Sequence, residues 1–208
     1  MSRHRPSRPR PRPGAKTAAT GRAPGKLRII GGDHRRRLLP VLDKPGLRPT
    51  PDRVRETLFN WLGGTLYGKR VLDLFAGTGA LGLEALSRGA RAATFVERDG
   101  QVANAINDNL ATLSISSAEV ITQDTLTMLS NPPEVPFDIA FIDPPFRQAL
   151  AEPCCAALEQ GWLTDDAWIY VEVESGLELS VPEHWHLHRE VKAGDSFGRL
   201  YRRHTTSS

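Results

Sequence analysis

The chain has 208 residues and 39% hydrophobic content, enough for one packed α/β domain with a short extension but not for two full domains. Its formal net charge of +3 conceals a split, because residues 1–37 carry 12 Lys/Arg and one acid (+11) while the other 171 sum to −8. No run approaches the roughly 18 apolar residues of a membrane span, and no apolar stretch near the start marks a secretory signal.

The basic leader points to a polyanionic partner such as nucleic acid. Within it, residues 1–26 contain eight Lys/Arg, five Pro and no acid, a composition that cannot bury enough surface to offset ordering. A disordered tail is expected there. An Arg-rich transit peptide is the rival, opposed by the prolines, which break the amphipathic helix such peptides form. Residues 27–45 follow as a hairpin extension, with Leu27–Ile30 and Arg36–Val41 flanking a Gly31-Gly32-Asp33 turn. Its arginines, Arg28 and Arg36 among them, suit either a nucleic-acid ribbon or a charged edge that resists aggregation.

The main domain is expected over residues 46–208. A helix starts near Thr50, read as its N-cap, with Pro51 and Asp52 behind it. Val54, Leu58, Trp61 and Leu62 form its buried stripe, and Gly63-Gly64 ends it. Strands are then expected at 70–75, 92–96, 118–121, 137–142 and 167–173, alternating with helices at 80–87, 100–112, 125–129 and 147–160. Pro153 interrupts the last helix. The strands are nearly continuously apolar, as helices on both faces of a parallel sheet require. Segments 184–191 and 197–203 around Lys192-Ala-Gly194-Asp195 read as a closing antiparallel hairpin. The expected fold is therefore Rossmann-like: a mostly parallel seven-stranded sheet with a C-terminal antiparallel hairpin.

The most informative stretch is Val71–Gly82 (VLDLFAGTGALG), where a strand enters a glycine-rich turn and then a helix. Gly77, Gly79 and Gly82 make a formal GxGxxG, which nicotinamide and flavin enzymes also use. Asp73, however, lies inside the strand just ahead of the turn. A carboxylate there repels a pyrophosphate and suits the cationic amino-acid end of S-adenosylmethionine. Phe75 and Thr78 belong to the same turn. Glu97 ends the second parallel strand, 18 residues after Gly79, where a carboxylate can accept ribose hydroxyls, with Arg98 beside it. Asp124, followed by Thr125, ends the third and can accept from an adenine amino group. Helix capping is the ordinary alternative for Glu97 and Asp124 taken singly; three acids at three successive strand ends favour a ligand.

The fourth parallel strand ends in Asp143-Pro144-Pro145-Phe146. Two prolines hold an extended loop that a simple turn does not need. Such a loop presents the Asp143 carboxylate and the Pro144 carbonyl as acceptors for the two N–H bonds of a planar amino group. This localises the nitrogen lone pair and aims it at a methyl donor. Phe146 offers a face for stacking a flipped base. A strand-end turn with a capping Asp is the alternative.

Here residues 45–208 resemble the RsmD family of bacterial small-subunit ribosomal RNA guanine-N2 methyltransferases. The matching stretches are GLRPT (46–50), DRVRETLFNWL (52–62), VLDLFAGTGALGLEALSRGA (71–90) and DPPF (143–146). The resemblance implies transfer of a methyl group from S-adenosylmethionine to a guanine N2 in small-subunit ribosomal RNA, within assembled subunits. It implies cofactor contacts from Asp73, Gly77, Gly79, Glu97 and Asp124, and base contacts from 143–146. Thr78 stands where many relatives carry Ser, and the 1–26 leader has no counterpart in the compact family pattern. The acid-Pro-Pro-aromatic loop by itself also fits an adenine-N6 or other amino methyltransferase on DNA or RNA.

Arg48, Thr50, Arg53 and Arg55 are candidates for the RNA entrance, with surface ion pairs as the alternative. His184, His186 and His188 alternate along one strand face and are read as solvated, with no metal expected. Cys154 and Cys155 are adjacent, lack disulfide or zinc-knuckle spacing, and read as core thiols of a cytoplasmic protein. A monomer is expected.

Overall fold

The computed structural model describes residues 25–205. The leader expected to lack structure lies outside them except for Gly25 and Lys26. Lys26 already pairs in β1 (Lys26–Arg28), which runs antiparallel to β2 (Leu38–Pro40). Leu27, Ile29, Leu39 and Val41 of this hairpin are buried in the same cluster as Leu58 and Phe59 of α1 (Asp52–Leu62). The hairpin is thus packed into the core.

Three further observations show how it docks. The Glu84 carboxylate accepts the Ile30 amide through both oxygens at 3.0 and 3.2 Å. The Ser87 hydroxyl donates to the Gly31 carbonyl at 2.6 Å and accepts the His34 amide at 3.0 Å. A Cβ on Gly32, whose φ is +78°, would lie 1.9 Å from the Ser87 carbonyl oxygen, so only glycine fits. Glu84 and Ser87 belong to the EALSRGA stretch, whose local role is to seat the hairpin on α2 (Ala80–Ser87).

The main sheet runs β5-β4-β3-β6-β7-β9-β8, with β3 (Arg70–Leu74), β4 (Ala92–Glu97), β5 (Ala118–Thr122), β6 (Phe137–Ile142) and β7 (Leu163–Glu174) parallel. β8 (Trp185–Ala193) and β9 (Ser196–Arg203) add the antiparallel hairpin. α3 spans Gly100–Thr112, α4 Thr125–Leu129 and α5 Ala151–Leu158. Two apolar cores, one on each sheet face, lie beneath α1–α3 and beneath α4 and α5 respectively. Among the described residues no helix is long and apolar enough to cross a membrane. The Rossmann-like arrangement expected from the alternation is present. The third glycine of the motif explains itself by packing, since a Cβ on Gly82 would sit 2.3 Å from the Phe95 ring.

Several expectations change. Thr50 does not cap α1: Pro51 is the N-cap, without a side-chain bond, and the Thr50 carbonyl instead accepts from Arg55 Nε at 3.0 Å. Trp61 is only half-buried, while Phe59 and Arg55 join the buried face. α5 begins at Ala151, not 147, because Arg147 and Ala149 take positive φ values of 63° and 50°. Pro153 then falls in the first turn, where no amide partner is lost. The register of β8 shifts between Leu187 and Arg189, and Leu187 is exposed together with the three histidines. Cys154 and Cys155 are free and buried in α5, and burial pushes the Cys154 thiol up to about 12.

Candidate active site

The C-terminal ends of the five parallel strands border a cavity of about 690 Å³. Each strand brings a carboxylate to it: Asp124 after β5, Glu97 at the end of β4 (with Asp99 in the loop beyond), Asp73 in β3, Asp143 after β6 and Glu172 in β7. Four of these were expected; Glu172 was passed over. Its signal was available, an acid inside the apolar run Tyr170-Val-Glu-Val173, as Asp73 is inside Val-Leu-Asp-Leu.

Asp73 is 2% exposed and accepts the Gly82 amide at 3.0 Å. That amide belongs to the first turn of α2, where an anionic ligand would otherwise bind. The carboxylate thus takes one of the free amides at the start of α2 and sets a negative group beside it. Burial, with a smaller contribution from the Glu97 charge, pushes Asp73 up to about 8, against the lowering effect of the Gly82 bond. Such a group becomes a full anion readily only when a cation arrives beside it.

The turn above is held in a special shape. Phe75 has φ +56°, Gly77 +55° and Gly79 +79°, with Gly79 the left-handed N-cap of α2. The Gly77 amide donates to Glu97 Oε2 at 2.9 Å, and the Asp99 amide to Oε1 at 3.0 Å. Glu97 therefore ties the glycine turn to the end of β4 and retains free lone pairs toward the cavity. Thr78 and Thr125 are buried at the cavity wall, while Arg98 is exposed at its rim. Asp124 does cap α4, accepting the Thr127 amide at 3.0 Å and its hydroxyl at 3.1 Å through one oxygen. Capping leaves the other oxygen available, so the two readings of this residue coexist.

After the neighbouring strand β6, Asp143, Pro144, Pro145 and Phe146 all line the cavity. Pro144 is buried and Phe146 is 48% exposed, its ring open to the cavity mouth. The loop is tied down where the Arg147 amide donates to the Glu174 carboxylate. Asp143 sits well above the usual carboxylate range, first from burial, then from the charges of Glu172 and Asp73.

A strap formed by residues 44–51 crosses the cavity mouth. Its anchor is an ion pair between Lys44 and Asp99, the N-cap of α3. Arg48 is exposed and Thr50 half-buried on this strap, so both reach the cavity. The remaining RNA candidates do not. Arg28 is bonded to Asp52 at 2.8 Å, Arg36 lies in the hairpin turn with φ +69°, and Arg53 is exposed on α1. Arg55 is 1% exposed and spends its donors on Thr50, Arg28 and Asp52, which makes it a core residue.

Known proteins place this geometry in a family. A family model described as conserved hypothetical protein 95 matches residues 27–202. The ribosomal RNA small subunit methyltransferase D of Escherichia coli K12 is 53% identical over 182 residues, covering 86% of this chain and 91% of that protein. Its namesake from Haemophilus influenzae is 50% identical, covering 89% and 98%. A solved Escherichia coli structure described as putative methyltransferase yhhF superposes with a TM-score of 0.80 at 50% identity, over 88% of this chain and all of that one. The chain belongs to the conserved hypothetical protein 95 family, that of ribosomal RNA small subunit methyltransferase D.

Proposed function

We propose that the protein transfers a methyl group from S-adenosylmethionine to the exocyclic N2 of a guanine in small-subunit ribosomal RNA, acting as a cytoplasmic monomer on the small ribosomal subunit. The observation that carries the chemistry is a pair of acids on neighbouring central strands of one cavity, Asp73 buried and Asp143 half-buried. Asp73 puts a carboxylate at the start of α2, where a pyrophosphate would meet a like charge, and Asp143 follows β6 in a proline-held loop.

The residues fit S-adenosylmethionine. Asp73 supplies an anion for its cationic end, Glu97 has lone pairs for ribose hydroxyls, and Asp124 has a free oxygen for the adenine amino group. The cofactor brings a methyl carbon already activated by a sulfonium. What remains for the chain is positioning and proton handling. Asp143 and the Pro144 carbonyl hold the two amino protons, and the nitrogen lone pair is directed at the methyl carbon. As the N–C bond forms and the C–S bond breaks, the nitrogen sheds a proton that Asp143 can accept. An elevated pKa suits that role.

The choice of guanine N2 rests on the family resemblance. An adenine-N6 substrate is the second reading, favoured by the loop's fit to any planar amino group. Mapping methylated nucleotides in ribosomal RNA from cells with and without the gene separates them. One small-subunit guanine should lose its N2 methyl, and loss of an adenine methyl would favour the second reading. Calorimetric titration should show S-adenosylhomocysteine binding and no binding of NAD; the converse would end the methyltransferase reading.

A further inference from the structure

Along the strand ends the acids assigned to the cofactor occupy β5, β4 and β3, and the base-holding loop follows β6. Glu172, on β7, is one strand farther on, in the substrate half of the cavity. In the register of β6 and β7, Ile142 lies opposite Val171, so Asp143 and Glu172 are the next neighbours, about 4.8 Å apart at the backbone. Strand alternation turns both away from the core that holds Ile142 and Val171.

Glu172 is 8% exposed, and it is held in place. Ser196 donates its hydroxyl to Oε1 at 2.8 Å and Tyr170 donates its hydroxyl to Oε2 at 3.2 Å. Room for the Tyr170 hydroxyl comes from Gly198, where a Cβ would lie 2.1 Å from it. The terminal hairpin thus orients a second carboxylate beside Asp143.

Two acceptors side by side match one base edge. Guanine presents the N1–H donor next to its N2 amino group. Adenine and cytosine present a lone pair next to theirs, at N1 and N3. Resting on the methyltransferase reading above, we propose that Glu172 is the guanine-selecting residue, accepting N1–H while Asp143 holds the neighbouring amino group. A buried acceptor facing a lone pair is left unpaired and repelled, which is a strong form of discrimination.

The test uses small subunits reconstituted on RNA ligated to carry guanine or 2-aminopurine at the mapped position. 2-Aminopurine keeps the 2-amino group and lacks the N1 proton. The full-length wild-type protein should prefer guanine by about 10²-fold or more in kcat/KM. Glu172→Gln, which can donate to an unprotonated N1, should reduce that preference to about tenfold or less while S-adenosylhomocysteine affinity stays within about twofold. Ser196→Ala, which loosens the same carboxylate, should give an intermediate ratio and carries the test if Glu172→Gln does not fold. An unchanged ratio in the folded variants overturns the proposal and leaves the methyltransferase reading standing. So does a fall in cofactor affinity with the ratio intact, which would put Glu172 on the cofactor. Wild-type protein that methylates neither base sinks both.

Discussion

Asp73 and Asp143 are kept in the molecule against their own solvation, and their chemistry follows from that. Asp73 is raised to about 8, so in the ligand-free protein near neutral pH it is largely protonated. A folded-state pKa above the unfolded value means the folded state binds the extra proton. This stabilising contribution is complete below about pH 4 and is lost as pH rises toward 8. A cationic ligand beside the group favours its anion. Cofactor binding at pH 6.5 should therefore release a proton, read as a dependence of calorimetric enthalpy on the buffer's ionisation enthalpy. Asp73→Asn should raise the melting temperature of the ligand-free protein at pH 8 while weakening cofactor binding by about 10- to 100-fold. Unaltered affinity would remove Asp73 from the cofactor site. For Asp143, Asp143→Ala should lower turnover by about 10²- to 10³-fold and leave S-adenosylhomocysteine affinity nearly intact. Because the acceptor must be ionised, log kcat/KM should rise with pH through an elevated carboxylate pKa and then level off. A profile flat down to pH 4.5 would contradict that role.

At the scale of elements, α2 is where two demands meet. Its N-terminus carries Asp73 and the glycine turn, and its C-terminal half carries the Glu84 and Ser87 bonds to the hairpin. Glu84 is fully buried, with Arg88 3.7 Å away and the Arg55 charge also acting on it. Glu84→Ala would leave the Ile30 amide without its acceptor and the Arg88 guanidinium without its counter-charge. It should cost about 3 kcal/mol, seen as a lower urea midpoint. A loss below about 1 kcal/mol would mean that apolar packing alone seats the hairpin. Four of the five strand-end acids were legible because strand, turn and helix are written locally: apolar runs, then glycine or proline, then periodic residues. Glu172 escaped because no glycine turn or proline loop follows it, and its meaning comes from the neighbouring strand. The docking of the hairpin was illegible because Ile30 and Glu84 are 54 residues apart.

For the whole molecule, the charge split predicts that the basic leader contributes to RNA binding. Residues 1–24 carry seven Lys/Arg and no acid, and Gly25 already bonds into the fold through the Val41 amide. Deletion should therefore stop at residue 24 to keep β1 intact. The truncated chain should bind ribosomal RNA more weakly, with a shallower slope of log affinity against log salt, by about 0.7–0.9 for each phosphate that the leader neutralises. Its preference for the methylated guanine should not change. An unaltered slope would show that the leader neutralises no phosphate.

From the order of its residues alone, this chain determined its alternating α/β architecture, the site of the glycine turn and the position of the Asp-Pro-Pro-Phe loop. Each of these depends on interactions within about a dozen residues. Tertiary structure decided which charges are free and which are spent. Arg55 became a core residue, Arg28 took Asp52 as its partner, and Glu172 came to lie beside Asp143. A side chain's partners, unlike its helical or strand period, are set by segments brought together across the sheet, and no local pattern encodes them.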